Sequence, residues 1–230
     1  MRIFAAVLAL AAGVSISGCG GSALSQADAA AAPTNPFLEF PLAKRADNDS
    51  DRQRIARFEQ KQDWAGLQRV AEELLKRQSE RSDWWVIAGY ASLQSGDYPK
   101  AIDALSRATA RSPEDIDAWN LLGETQRLMR QPGRATQTLE RAATISRTSH
   151  ITFYLLGEAY RDAGRLDRAS SAYQESLRIE PEFSLAWFQL GAVYARMGER
   201  EQARAVLERL QKLNPALAEQ LAARIQSRTR

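Results

Sequence analysis

The chain has one cysteine and one histidine in 230 residues. A single cysteine excludes an internal disulfide. One histidine, His150, with no second thiolate to help it, cannot assemble the ligand set of a transition-metal site. No metal and no cofactor are expected. Charge of one sign is also lacking: 31 Lys and Arg stand against 28 Asp and Glu, for a net charge of +3. Without a run of like charge, no polyanion-binding patch is indicated, and no nucleic-acid partner is expected. Catalytic signatures are missing as well: there is no His-Glu-x-x-His, no Gly-rich phosphate loop and no serine in an elbow context. No catalytic residue is assigned, the chain is read as non-enzymatic, and no small-molecule substrate is expected. Apolar residues nonetheless make up 44%, enough to fill a globular core.

The one long uncharged apolar stretch, Ile3 to Ile16, follows Met1-Arg2. Its fourteen residues reach roughly 21 Å as a helix, short of the ~30 Å hydrocarbon core of a bilayer. That length, behind a positive residue, is the pattern of a signal-peptide h-region. An Ala-x-Ala-type cleavage site comes late, at Ala27-Asp28-Ala29. Directly after the stretch stands Ile16-Ser17-Gly18-Cys19. This resembles the lipobox of bacterial lipoproteins, and the resemblance implies a signal peptide over 1–18 and lipid attachment at the Cys19 sulfur. Gly20, rather than Asp, follows. By the same resemblance that implies sorting to the outer membrane, with the protein anchored on the periplasmic face. The competing reading is a soluble secreted module cut at the later site.

Residues 19–47 are rich in Ala, Gly, Ser and Pro and read as a flexible tether, about 30 Å in root-mean-square span. One part is less bland. "NPFLEFPL" sets Phe37, Leu38, Phe40 and Leu42 around Pro36 and Pro41. It reads either as a cover lying on the first helices or as a docking motif for a partner.

Beyond it the sequence repeats. Trp85, Trp119, Phe153 and Trp187 stand 34 residues apart, as do Gly89, Gly123, Gly157 and Gly191. So do Ala101, Ala135, Ala169 and Ala203, and Leu105, Leu139, Tyr173 and Leu207. Pro113, Pro181 and Pro215 make a further series, with Arg147 at the remaining position. Each unit shows two apolar stripes at helical spacing, separated by turn signals at Ser95-Gly96-Asp97, Pro132-Gly133, Ala163-Gly164-Arg165 and Met197-Gly198-Glu199. Glycine inside a helix costs about 1 kcal/mol against alanine, so four in register call for close packing, expected here against the alanine series.

The pattern resembles the tetratricopeptide repeat family, over about Ser82 to Leu217. Ser92 and Gln126 replace the tyrosine that Tyr160 and Tyr194 keep. The resemblance implies an all-α fold, a right-handed superhelix of antiparallel helix pairs, with units at 82–115, 116–149, 150–183 and 184–217. Residues 48–81 read as a degenerate unit in the same register, since Asp63-Trp64 precedes Asp97-Tyr98 by one period. Residues 218–230 read as a capping helix.

Carrying the family's groove positions onto this chain gives Asp83, Val86, Tyr90 and Leu93; Asn120, Glu124 and Arg127; Ile151, Tyr154, Glu158 and Arg161; and Leu185, Phe188 and Arg196. Tyr90, Tyr154 and Phe188 are expected to point outward as binding anchors. Glu124/Arg127 and Glu158/Arg161 read either as intrahelical salt bridges or as a charged strip that sets the register of a bound peptide. Val86 and Tyr90 stand where the carboxylate clamp of the chaperone-binding branch has Lys and Asn, so that activity is not expected. The resemblance implies a membrane-anchored scaffold that holds other envelope proteins or peptides, in assembly of a pilus, secretion or polysaccharide-export machine or in recruitment of cell-wall enzymes. A hydrolase using Glu124 and Glu158 is the remote alternative.

Overall fold

The computed structural model describes residues 42–227. The signal segment, Cys19 and the tether as far as residue 41 lie outside the described residues. Among the described residues every regular element is helical. A 3-10 turn, Leu42–Arg45, leads into α1 (Asp49–Lys61), α2 (Trp64–Arg77), α3 (Ser82–Gln94), α4 (Tyr98–Arg111), α5 (Ile116–Leu128) and α6 (Pro132–Ile145). The chain continues through α7 (His150–Asp162), α8 (Leu166–Ile179), α9 (Ser184–Met197), α10 (Arg200–Leu213) and α11 (Pro215–Ser227).

Helices pair as α1/α2, α3/α4, α5/α6, α7/α8 and α9/α10, and each second helix also packs on the next first helix. First helices approach one another directly, α3 on α5, α5 on α7, and α11 on α9, while contact between successive second helices is slight at most. The first helices therefore form the inner layer and the second helices the outer layer, the arrangement of an α-solenoid.

The turn inside each pair repeats in atomic detail. Gln62, Gly96, Arg130, Gly164 and Gly198 all adopt positive φ, between 52° and 81°. The residue after each, from Asp63 to Glu199, donates its N–H to the carbonyl of Phe58, Ser92, Gln126, Tyr160 or Tyr194 respectively, at 2.8–3.0 Å. This is the Schellman closure, which satisfies carbonyls that a helix end leaves open. The turn expected at Pro132-Gly133 is corrected here. Arg130 takes the left-handed position, Pro132 opens α6, and Gly133 lies within that helix.

The helical glycines are packed, but not against the alanine series. A Cβ on Gly123 would stand 2.5 Å from Leu139 Cγ, and one on Gly157 would stand 2.5 Å from the Tyr173 ring. In α3, α5 and α7 the glycine leaves a notch that the bulky residue of the partner helix fills, while the small Ala101, Ala135 and Ala169 of that helix, fully buried, let the helices close. In the last pair Val206 and Leu221 reach the notch of Gly191 instead of Leu207, because α11 arrives on that side. The cap accordingly begins at Pro215 rather than 218, and Leu217, Ala218 and Leu221 are buried.

The tryptophans occupy equivalent places. The indole N–H of Trp85, Trp119 and Trp187 donates to the carbonyl six residues back, Ser79, Pro113 and Pro181, at 2.9 Å each. These bonds pin the loops between units. At the third unit Phe153 has no N–H to give, and Arg147 stands at the loop position.

Folded structure starts earlier than the tether reading allowed. Leu42 is fully buried and Ala46 nearly so. The backbone N–H groups of Leu42 and Ala43 donate to the Glu59 carboxylate at 3.0 and 3.3 Å. Residues 42–47 are thus a strap laid on the solenoid. Of the apolar residues in "NPFLEFPL", Leu42 packs on α1, and Phe37, Leu38 and Phe40 lie outside the described residues.

Candidate functional site

The inner face is built from α3, α5, α7 and α9, and most of the residues expected to line it are covered. Val86 and Tyr90 in α3 and Phe188 in α9 are at most 1% exposed. Leu93, Asn120, Glu124, Tyr154 and Glu158 are buried too. The three aromatics expected as outward anchors are therefore part of the packing between units. Tyr90 meets the edge of Trp64 at 5.8 Å. Burial, with the nearby Glu59 charge, pushes its hydroxyl pKa up to about 12. Tyr154 lies between Tyr173 and Phe183, at 6.0 and 5.2 Å. Phe188 has the Arg224 guanidinium of α11 over its ring at 4.7 Å. The physical reason is common to all three: each inner helix has neighbours on both sides, and at the ends α1/α2 and α11 supply them.

The charged residues form one connected network. Arg127 makes two bonds to Glu124, at 2.8 and 2.9 Å, on the same face of α5. Arg161 donates to Glu158 at 2.9 Å, one unit on in α7. Asp162 joins the two pairs, accepting from Arg127 at 2.8 Å and from Arg161 at 2.9 Å. Arg161 also reaches Gln189 of α9 at 3.0 Å, and Tyr173 donates its hydroxyl to Glu158 at 2.5 Å. Asn120 accepts from the Thr152 hydroxyl at 3.0 Å, a further link between α5 and α7. No described buried side-chain polar atom lacks a partner.

The electrostatics follow from this burial. Desolvation works against charge on Arg127 and Arg161, but Glu124, Glu158 and Asp162 outweigh it and hold both cationic. Glu158 is raised by burial, which Arg161 and Arg127 only partly offset. Asp162, which burial alone would raise, is lowered by the same two arginines. The intrahelical pairs are real, and the tertiary structure turns them into a ladder between units. Arg196 is exposed and lies one residue beyond the register of Arg127 and Arg161.

What remains accessible lies along two rails. At the last turns stand the half-buried Arg127 and Arg161, the more exposed Asp162 and Arg196, and Leu128, the one exposed large apolar side chain among the described residues. At the first turns stand Asp83, Asp117, Ile151 and Leu185, each one period after the last and each half-exposed. Between the rails the inner face is closed by packing. Asp117 was detectable from its 34-residue offset from Asp83. Asp162 and Gln189 carry no repeat signal, since neither recurs.

The acidic end of the first-turn rail is already occupied. Arg45, from the strap, is 13% exposed and meets Asp83 at 3.1 Å, Asp115 at 2.6 Å and Asp117 at 3.0 Å. Asp115 also caps α5, accepting from the N–H groups of Asp117 and Ala118. Arg81 bridges Asp83 to Asp47 and donates to the Arg45 carbonyl.

Comparison with known proteins agrees with this architecture. Family models described as TPR repeat or tetratricopeptide repeat match residues 82–125, 157–198 and 184–217. Among solved structures, MamA is similar at a TM-score of 0.65 and 22% identity, over 72% of this chain and 96% of that one. MamA residues 41 to the end, from Desulfovibrio magneticus RS-1, gives 0.66 and 20%, over 76% and 96%. YrrB, described as a TPR protein with an unusual peptide-binding site, gives 0.61 and 20%, over 79% and 97%. No curated protein sequence matches the chain significantly. The chain carries tetratricopeptide repeats, and its fold is the all-α tetratricopeptide solenoid, an architecture of protein-interaction scaffolds. At these identities the solved structures speak for the fold alone.

Proposed function

We propose that this protein is a lipid-anchored adaptor that holds segments of other envelope proteins along the inner rails of its solenoid. The observation that carries the reading is the ladder of Arg127, Asp162, Arg161 and Gln189. It is a rigid, fully bonded and still partly accessible row of polar groups, flanked by exposed Leu128. Such a row presents a preorganised pattern of charge to an extended or helical segment without a large ordering cost. YrrB, which shares the fold and is described as having a peptide-binding site, supports the same use of the architecture.

The anchor belongs to this proposal. Ile16-Ser17-Gly18-Cys19 supports lipid attachment at Cys19, and Gly20 supports residence on the periplasmic face of the outer membrane. An anchored receptor raises the local concentration of its binding site for membrane-bound partners. That fits work in assembling an envelope machine or recruiting cell-wall enzymes.

Two measurements test the two halves. Cross-linking in the native envelope should lose its protein partners in Leu128→Glu, with melting temperature unchanged; an unchanged partner set removes the last-turn rail as the docking surface. Fatty-acid labelling should mark the wild type and not Cys19→Ala. An unlabelled, soluble wild type would replace the anchored adaptor with a secreted module.

A further inference from the structure

The strap is attached to the solenoid in the way a bound peptide would be. Its one regular element is a four-residue 3-10 turn, too short to persist alone, so the contacts it makes with the body hold it in place. Those contacts fall into three seats. Glu59 receives the backbone N–H groups at its start, Leu42 is buried to 0% exposure, and Arg45 enters the carboxylates of Asp83, Asp115 and Asp117. Leu42 and Arg45 are three residues apart, which in a 3-10 turn places them on one side. Asp83 and Asp117 belong to successive units, so the strap crosses the start of the first-turn rail.

The recess is built for a cation. Four carboxylates, counting Asp47, surround two guanidinium groups, Arg45 and Arg81. Two carboxylates, Asp83 and Asp115, share one Arg45 nitrogen. Withdrawal of Arg45 would leave like charges facing each other in a partly desolvated place, a costly state that another guanidinium would relieve. Further along the same rail Ile151 and Leu185 replace the acidic residues, so the row runs from acidic to apolar.

We propose that residues 42–47 are a ligand in cis, and that a partner segment bearing a leucine-like residue and an arginine one turn apart displaces them to bind Asp83, Asp115 and Asp117. The idea rests on the adaptor reading above and adds the chemistry of its partner: a Leu-x-x-Arg face on a single helical turn. The strap then acts as a built-in competitor. A weak basic segment fails to dislodge it, and only a segment that fills the apolar and the acidic seats together gains entry.

The test uses the full chain and a fluorescent peptide of residues 41–49, PLAKRADND. Arg45→Ala, which withdraws the strap's guanidinium from Asp115 and Asp117 and leaves Arg81 in place, should bind the peptide at least about tenfold more tightly than the wild type, a difference of ~1.4 kcal/mol. Adding Asp115→Asn to Arg45→Ala should abolish the gain. Asn caps a helix about as well as Asp, so α5 keeps its start while the charge is lost. A peptide with Ala in place of its arginine should bind neither form. Should Arg45→Ala fail to fold, hydrogen exchange on the wild type decides: excess peptide should deprotect the amides of Leu42 and Ala43. Unchanged protection, equal binding to wild type and Arg45→Ala, or binding of arginine amide as tight as that of the peptide overturns the proposal. Loss of the rail cross-links in the preceding experiment is independent of these results, so the two readings fail separately.

Discussion

Arg127 in α5 and Asp162 in α7 lie 2.8 Å apart, Nη1 to Oδ2, and this contact joins two intrahelical pairs into one network across the solenoid. Arg127 also holds Glu124, which is 3% exposed, by two bonds. Removing one member of a buried pair costs more than the pair contributes, because the other charge stays behind. Arg127→Met is expected to lower unfolding stability by about 3 kcal/mol or more. Asp162→Asn, at the more exposed end, should cost about 1–2 kcal/mol. Urea denaturation measures both. Equal, negligible losses would mean that the ladder contributes nothing to stability.

Arg130 holds φ at 55° in a turn where three of its four equivalents, Gly96, Gly164 and Gly198, are glycines at 73–81° and the fourth is Gln62 at 52°. A left-handed backbone costs a side-chain-bearing residue about 1–2 kcal/mol. Arg130→Gly should therefore raise stability by about 1 kcal/mol, offset in part by the unfolded-chain entropy of glycine. Gly164→Ala should lower it by a similar amount. Opposite shifts in the denaturation midpoint of the two variants are the expected outcome. Shifts of the same sign would contradict the turn geometry.

His150 opens α7 with its ring edge-on to Phe183 at 5.1 Å. Burial lowers its pKa below 6.5, and the Glu180 charge opposes this only in part. A depressed folded-state value for a base means that its share of stability is present above the unfolded pKa. That share is lost as pH falls through the folded value. Because the chain has one histidine, a single imidazole NMR titration reads the group directly. The expected midpoint lies below 6.5. Between about pH 7.5 and about pH 5, the wild type should lose more thermal stability than His150→Gln. A midpoint at or above the ordinary histidine value would refute the partial burial of the ring against Phe183.

The repeat was legible because its chemistry is local. A glycine notch needs a bulky residue a fixed distance along the chain, as Gly123 and Leu139 show. The indole of Trp119 needs a carbonyl six residues back. Both relations recur with the period, so they leave a signal in one sequence. The error at Pro132-Gly133 shows the limit of that signal. Left-handed backbone is favoured by glycine but set by hydrogen-bond closure, and Arg130 adopts it when Gln131 must reach Gln126.

The fate of the inner-face aromatics was not legible. Tyr90, Tyr154 and Phe188 sit at family groove positions, yet each is covered by a residue from a neighbouring element: Trp64 opening α2, Phe183 just before α9 and Arg224 of α11. Asp83 likewise gave no hint of Arg45, 38 residues away in a stretch that reads as linker.

The sequence by itself determined the helix pairs, their order and the loops between them, since each depends on residues within one period. Only the tertiary structure decided which faces stay open. Exposure depends on what the neighbouring units and the non-repeating ends bring from far along the chain, and no periodic pattern encodes those contacts.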